Sequence, residues 1–183
     1  MDTNPFSRFF VEYKKIGKRI VLTHNEQRIC KYIARERYEF ARKHNYKNKI
    51  PKKGDGYALT DLNGYGGEFA FCKLFNLYPD LSTELHKDSV YDCTMYEDWK
   101  IDVKTTHYER GHLCVGEWIK RKEGLDAFAL MIGKFPQYQF KGFISKERGT
   151  SSKYLKDKGM GLAYFIPQHD LMEFDMLYLN DFT

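Results

Sequence analysis

Residues 99–106, WKIDVKTT, restrict the folds open to this chain more than any other segment. Apolar and polar residues alternate along it, and the side chains of a β-strand alternate between its two faces. Ile101 and Val103 therefore predict a side that faces a core. Asp102 and Lys104 share the opposite side. The segment thus predicts a strand of a packed sheet that carries a carboxylate beside an ammonium group.

A second strand is predicted just before it, over residues 89–95, SVYDCTM. If the two strands pair as a hairpin, Asp92 of the first lies near Asp102 of the second. Two carboxylates and the Lys104 ammonium group then converge at one place. Taken alone, such a set is more typical of an exposed hairpin face whose charges pair with each other, and such surface pairs contribute little stability.

The remaining elements surround these two strands. A helix is predicted from Thr23, which stands in capping-box spacing with Glu26, to residues 44–46. Its predicted core stripe consists of Ile29, Ile33, Phe40 and Ala41, with Tyr32 beside them. A glycine-rich turn at residues 64–67 is predicted to lead into a second helix. Further strands are predicted at residues 113–115, 126–133, 137–145 and 162–166. This order predicts an α/β or α+β domain around a central sheet.

The sequence lacks the motifs of several other kinds of functional site. The four cysteines, Cys30, Cys72, Cys93 and Cys114, form no CxxC spacing, which disfavours structural zinc and indicates reduced thiols in a cytosolic protein. The chain contains neither a GxxxxGK[ST] phosphate loop nor a GxSxG nucleophile motif. No apolar run approaches the ~20 residues that span a bilayer, so no membrane partner is expected. His107 and His112 could flank a cleft, but isolated histidines are more typical of the surface.

Charge is distributed unevenly along the chain. Residues 1–53 hold 15 Lys or Arg and 5 Asp or Glu, a net charge of +10, whereas the rest, with 15 basic and 20 acidic residues, carries −5. A basic arm beside an acidic body fits a protein that binds a polyanion, and a solvated basic helix explains it equally well. The candidate nucleic-acid contacts are Arg28, Lys31 and Arg35 in the helix, and Lys120, Arg121 and Lys122, which also suit a solvated turn.

Two carboxylates and a lysine in one cleft suit the hydrolysis of a phosphodiester bond. That reaction needs an activated water and a place for developing negative charge, and Mg²⁺ or Mn²⁺ bound by oxygen ligands supplies both. Asp92 and Asp102 can hold the ion while leaving positions for water and phosphate. Lys104 beside them can orient the water or stabilise the transition state.

Asp92 and, after nine intervening residues, the tripeptide Asp102-Val103-Lys104 resemble the D…(D/E)-x-K core of the PD-(D/E)XK, or restriction-endonuclease-like, superfamily. In that superfamily the two acids hold the metal, and an upstream helix commonly contributes a glutamate, a position that Glu68 matches. The resemblance also implies that the Val103 backbone carbonyl faces the metal. The other interpretation of Glu68 is an acid near a helix N-terminus, favoured there by the helix dipole.

The resemblance implies a restriction-endonuclease-like α/β core with a central mixed sheet of four to five strands flanked by helices. Residues 1–55 would be a basic helical N-terminal region packed on the core, and residues 56–183 the nuclease core of a single domain. The implied function is Mg²⁺- or Mn²⁺-dependent endonuclease cleavage of nucleic acid, DNA rather than RNA. The alternative is a non-catalytic nucleic-acid-binding protein of the same fold. A cytoplasmic, nucleoid-associated or viral protein fits, and a homodimer is compatible with the sequence.

The sequence departs from the superfamily at one position. Tyr91 stands directly before the first acid, where the superfamily name has a proline. That proline is often absent, so Asp92 remains the expected acid of the first strand.

Overall fold

The computed structural model describes residues 15–46, 56–84, 90–95, 98–159 and 161–173. Its helices are α1 (His24–Lys43), α2 (Gly56–Phe75) and the short α3 (Lys146–Gly149). Its strands are β1 (Arg19–Val21), β2 (Cys93–Thr94), β3 (Lys100–Thr106), β4 (Leu113–Gly116), β5 (Ala127–Lys134), β6 (Gln137–Ser145), β7 (Leu155–Asp157) and β8 (Leu162–Ile166). These strands form a five-stranded sheet in the order β1-β6-β5-β3-β2 and a three-stranded sheet in the order β4-β8-β7.

The five-stranded sheet is mixed. Strands β3 and β5 pair in parallel, whereas β5 with β6, β6 with β1, and β2 with β3 pair antiparallel. The predicted mixed α/β class and the number of strands in the central sheet are therefore confirmed. The finer prediction, a restriction-endonuclease-like core, remains a prediction.

Strand β5 is covered by a packed layer on each of its two faces. Its residues Ala129 and Met131 join the core beneath α1 and α2, whereas Phe128 and Leu130 join a second core beneath the three-stranded sheet. A strand covered on both faces needs an apolar residue at every position, which explains the continuous run AFALMI. The helices thus cover one face of the central sheet, and the three-stranded sheet covers the other.

The strand predictions are confirmed at β3, β4, β5, β6 and β8, where apolar alternation or a continuous apolar run is pronounced. Strands β1 and β7 were not predicted because each has three residues, too few to establish a period. The strand predicted at residues 89–95 is regular only at Cys93–Thr94, and residue 89 lies outside the described residues.

Helix α1 begins as predicted, with the Thr23 and Glu26 side chains each accepting the other's backbone N–H. Its predicted core stripe is partly wrong. Cys30, Ile33 and Ala34 are the buried residues of this helix, whereas Ile29 and Tyr32 are exposed and Phe40 and Ala41 are half-buried. The buried face is rotated because a cysteine and an alanine, small enough for close approach to α2, form its centre.

The predicted glycine turn before α2 is wrong, because residues 64–67 lie inside this helix. A Cβ atom at Gly67 would come within 2.0 Å of Thr105 Oγ1 on β3, and one at Gly66 within 2.3 Å of the Tyr138 hydroxyl. The glycines therefore permit α2 to lie directly on the sheet. Their helix-weakening tendency, about 1 kcal/mol each relative to alanine, misled the sequence-based prediction.

Part of the basic N-terminal region belongs to the central sheet. Strand β1 pairs with β6, with Ile20 opposite Tyr138, and Ile20 is buried. The predicted boundary at residue 55 lies outside the described residues. Among the helices that the structure describes, none combines the length and apolar character needed to cross a membrane.

Candidate active site

The site forms where β2 leaves the edge of β3. Strand β2 pairs with β3 only at Ile101 and Lys100, whereas β3 continues to Thr106 along β5. Beyond Ile101, a side chain replaces the missing strand, because the Val103 N–H donates to Asp92 Oδ2 at 2.7 Å. Asp92 is thereby fixed against the free edge of β3.

The Val103 carbonyl shares this edge with Asp92. The N–H and C=O of one residue in an extended strand point to the same side. Since the Val103 N–H meets Asp92, the Val103 carbonyl is directed to the same side of β3. The Ile101 carbonyl, two residues earlier, accepts from the Asp92 N–H at 2.8 Å, which agrees with this alternation.

Asp102 and Lys104 lie side by side on the face of β3 turned away from the helices. Their neighbours Ile101 and Val103 belong to the core beneath α1 and α2. Asp102 is only 5% exposed, and its Oδ1 accepts a hydrogen bond from Lys104 Nζ. The Lys104 side chain is 37% exposed, so a partly exposed lysine is paired with a buried carboxylate.

Glu68 approaches the same edge from α2. It lies about three turns inside the helix, where the charge of the helix N-terminus has little effect. The helix-dipole interpretation of Glu68 therefore does not apply. The Glu68 side chain is 24% exposed, and its Oε2 lies 3.6 Å from Arg37 Nη1 of α1.

Arg37 is a residue that the sequence analysis missed. Its guanidinium also lies 2.8 Å from Asp80 Oδ2, donates to the Ser82 carbonyl at 2.8 Å, and stands 4.7 Å from the centre of the Tyr65 ring. The available signal was helical spacing, because Arg37 follows Cys30 by two turns on the buried face of α1. An arginine on such a face predicts a buried acid as its partner.

Burial and the proximity of the acids to each other shift the pKa values of the site. Burial raises the pKa of Asp92 well above its ordinary value, and the negative charges of Glu68 and Asp102 raise it further. Burial also raises the pKa of Glu68, although Arg37 and Lys104 counteract it. Burial alone would lower the pKa of Lys104, but the surrounding carboxylates outweigh it and the pKa rises. Three acids thus face two cations, which leaves the site short of positive charge.

The oxygen atoms at this edge are of the kind that a divalent cation binds together with water. In the described part of the chain, no three His, Cys, Asp or Glu side chains are grouped so that they could hold a metal ion by themselves. Mg²⁺ commonly needs only one or two protein carboxylates, since it retains waters and binds substrate phosphates. Asp92, Asp102 and the Val103 carbonyl supply oxygen donors of that kind beside an excess of negative charge.

The predicted nucleic-acid contacts lie elsewhere on the surface. Arg28, Lys31 and Arg35 are exposed on α1, and Arg35 pairs with Glu36 at 3.0 Å. A second predicted group, Lys120 to Lys122, lies at the end of a 3₁₀ turn (Glu117–Arg121). There Arg121 pairs with Glu117 at 3.3 Å, and the Lys122 carbonyl accepts from Lys146.

Fold and site together define a mixed α/β protein in which Asp92 lies against the free edge of β3, Asp102 and Lys104 lie on one face of that strand, and Glu68 comes close enough for its charge to act on them. The chain belongs to a family of unknown function (DUF5843), whose family model matches residues 13–180. No curated protein and no solved structure matches it. The function must therefore be argued from the chemistry of the site.

Proposed function

We propose that this protein is a metal-dependent nuclease that hydrolyses phosphodiester bonds, with DNA as the favoured substrate and endonuclease action. The observation that carries the proposal is the placement of Asp92, Asp102 and Lys104 along the part of β3 that β2 leaves uncovered, with Glu68 approaching from α2. Burial, and then the charges of the neighbouring acids, raises the pKa of Asp92 and Glu68 there. A divalent cation and a lysine are what such a group needs in order to bind and cleave a phosphodiester.

Asp92, Asp102 and the Val103 carbonyl would hold Mg²⁺ or Mn²⁺, and Glu68 would hold a second ion or position the water. When bound, the ion would lower the pKa of a coordinated water and neutralise charge on the phosphate. Lys104 would orient the attacking water or stabilise the charge that develops on the phosphate oxygens.

The test is a cleavage assay on three substrates. The purified protein is incubated with supercoiled plasmid, single-stranded DNA and RNA, each with Mn²⁺, Mg²⁺ or a chelator. The proposal predicts metal-dependent cleavage, with nicked or linear plasmid as the product of endonuclease action. Plasmid that is bound but intact under every metal condition would instead identify a non-catalytic nucleic-acid-binding protein.

A further inference from the structure

The outer face of the three-stranded sheet carries cations beside an aromatic ring. The inward residues of these strands, including Leu113 and Tyr164, are buried against the central sheet. Side chains alternate along a strand, so the intervening residues form the opposite face. The register places Cys114 beside Phe165 and Lys156 beside Ala163. We call the surface formed by Cys114, Lys156, Ala163 and Phe165, together with Lys158, the outer face.

Positive charge is concentrated on the outer face. Lys158 Nζ lies 4.1 Å from the centre of the Phe165 ring. The pKa of His112, just before β4, is lowered by partial burial and by the charges of Lys158 and Lys156. Asp157, the carboxylate of β7, alternates to the opposite side of the strand and accepts from the Gly159 N–H at 2.7 Å. Within the described part of the chain, neither Lys156 nor Lys158 pairs with a carboxylate.

The outer face neighbours the candidate active site along β4, which contacts β3. Cys114 lies close enough to both Lys158 and Lys104 for their charges to oppose the rise that burial causes in the pKa of its thiol. Strands β3 and β4 are in contact, and the Lys104 side chain on β3 is 37% exposed. Of the four cysteines, Cys114 is the exposed one, so a thiol reagent can report on this part of the outer face.

We propose that the outer face binds the sugar–phosphate backbone of the nucleic acid and leads it to Lys104. This inference rests on the proposed nuclease function and identifies the surface that guides its substrate. Lysines without carboxylate partners suit phosphate oxygens, and such contacts fix the position of a strand without selecting its sequence. The partly exposed Phe165 ring lies under the Lys158 ammonium group and stabilises that cation at this surface.

The experiment compares two double variants with equal loss of charge. Lys156→Gln/Lys158→Gln removes two cations from the outer face. Lys18→Gln/Lys141→Gln removes two from the β1–β6 side, at the other end of the central sheet. Binding to a fluorescent DNA duplex is measured by anisotropy at several salt concentrations, with chelator present to prevent cleavage. The outer-face variant should lose about 1.8 from the log–log salt slope, ~0.9 per phosphate contact, while the control keeps the parental slope.

Alkylation of Cys114 provides a second measurement. Duplex DNA should slow its reaction with N-ethylmaleimide at least several-fold in the parent and the control variant, and much less in the outer-face variant, as followed by peptide mass spectrometry. Equal salt slopes for the two variants, unprotected Cys114 at saturating DNA, or a parent that binds no duplex would each overturn the inference. The cleavage assay on the parent is independent of these readings, so a failed outer face with intact cleavage leaves the proposed function standing.

Discussion

Asp92 is the residue whose protonation links the site to folding. In an unfolded chain an aspartate titrates near ~3.9. Burial and the neighbouring carboxylates raise the pKa of Asp92 well above that in the folded protein, so the folded state binds the proton more tightly. Without metal, stability should therefore fall as the pH rises from the unfolded pKa through the raised one. The ionised form of Asp92 that would bind a metal is the form that lowers the stability of the metal-free protein.

The first prediction concerns Asp92→Asn. The amide oxygen can still accept the Val103 N–H, but the buried charge is gone. In chelator at pH 7 the variant should have a higher free energy of unfolding than the parent, because the folded parent carries a buried negative charge that the amide lacks. Urea denaturation at pH 7 and pH 5 measures this, and the difference should shrink at pH 5. Cleavage should be lost. A less stable variant at pH 7 would show that the charge on Asp92 stabilises the fold.

The second prediction concerns Arg37, which counteracts the negative charge of Glu68. Its side chain is 15% exposed, so Arg37→Ala should lower the free energy of unfolding by about 2–3 kcal/mol, somewhat less than the loss of a fully buried pair. The pKa of Glu68 should rise further, which moves the acid limb of the cleavage rate to higher pH. Thermal denaturation and a pH–rate profile measure the two effects.

Arg35→Ala is the matched control for Arg37. Arg35 lies on the same helix, but its side chain is 62% exposed and its partners are the surface residues Glu36 and Glu39. Its loss should change stability by less than about 0.5 kcal/mol and leave the pH profile unmoved. If the two substitutions had equal effects, Arg37 would have no specific role in positioning Glu68.

At the scale of elements, the contact between α2 and β3 sets the position of Glu68. Gly67→Ala would drive a methyl group into Thr105, and overpacking of this kind costs about 1–3 kcal/mol. The helix should move away from β3 and carry Glu68 with it, so cleavage should fall together with stability. Urea denaturation and the plasmid assay measure these changes.

Gly64→Ala is the control for this helix contact. A Cβ atom at Gly64 meets nothing within 4 Å, so the substitution should stabilise the helix by up to about 1 kcal/mol without changing cleavage. If Gly67→Ala behaved like Gly64→Ala, the close packing of α2 on β3 would not control the site.

An element can be predicted from the sequence when a local pattern of residues determines its structure. It cannot when contacts with residues distant in sequence determine its structure. Strand β3 was predicted because alternation of Ile101, Asp102 and Val103 is a local property. The helical conformation of residues 64–67 in α2 was not predicted. Glycine is needed there because Thr105 and Tyr138, which are distant in sequence, leave no room for a side chain. Arg37 was missed for the same reason, since its importance comes from Glu68 on another helix.

At the scale of the whole molecule, the excess of basic residues lies in the N-terminal region, and the rest of the chain has a net negative charge. Arg28, Lys31 and Arg35 are exposed on α1. If this helix contacts phosphates, replacing all three with glutamine should weaken binding to every DNA sequence and reduce the log–log salt slope by up to about 2.7, ~0.9 per lost contact. Anisotropy titrations at several salt concentrations measure the slope. An unchanged slope would show that α1 does not face nucleic acid.

The cleavage rate of Lys104→Ala tests the central claim most directly. Lys104 is proposed to act on the water or the transition state, and one phosphate contact is a small part of total affinity. The folded variant should therefore bind DNA much as the parent does, yet cleave plasmid with Mn²⁺ about 10²–10³ times more slowly. Lys18→Ala, with its exposed lysine beside β1, should cleave at the parental rate. Folded Lys104→Ala that cleaves as fast as the parent would contradict the assignment of this strand edge as the catalytic centre.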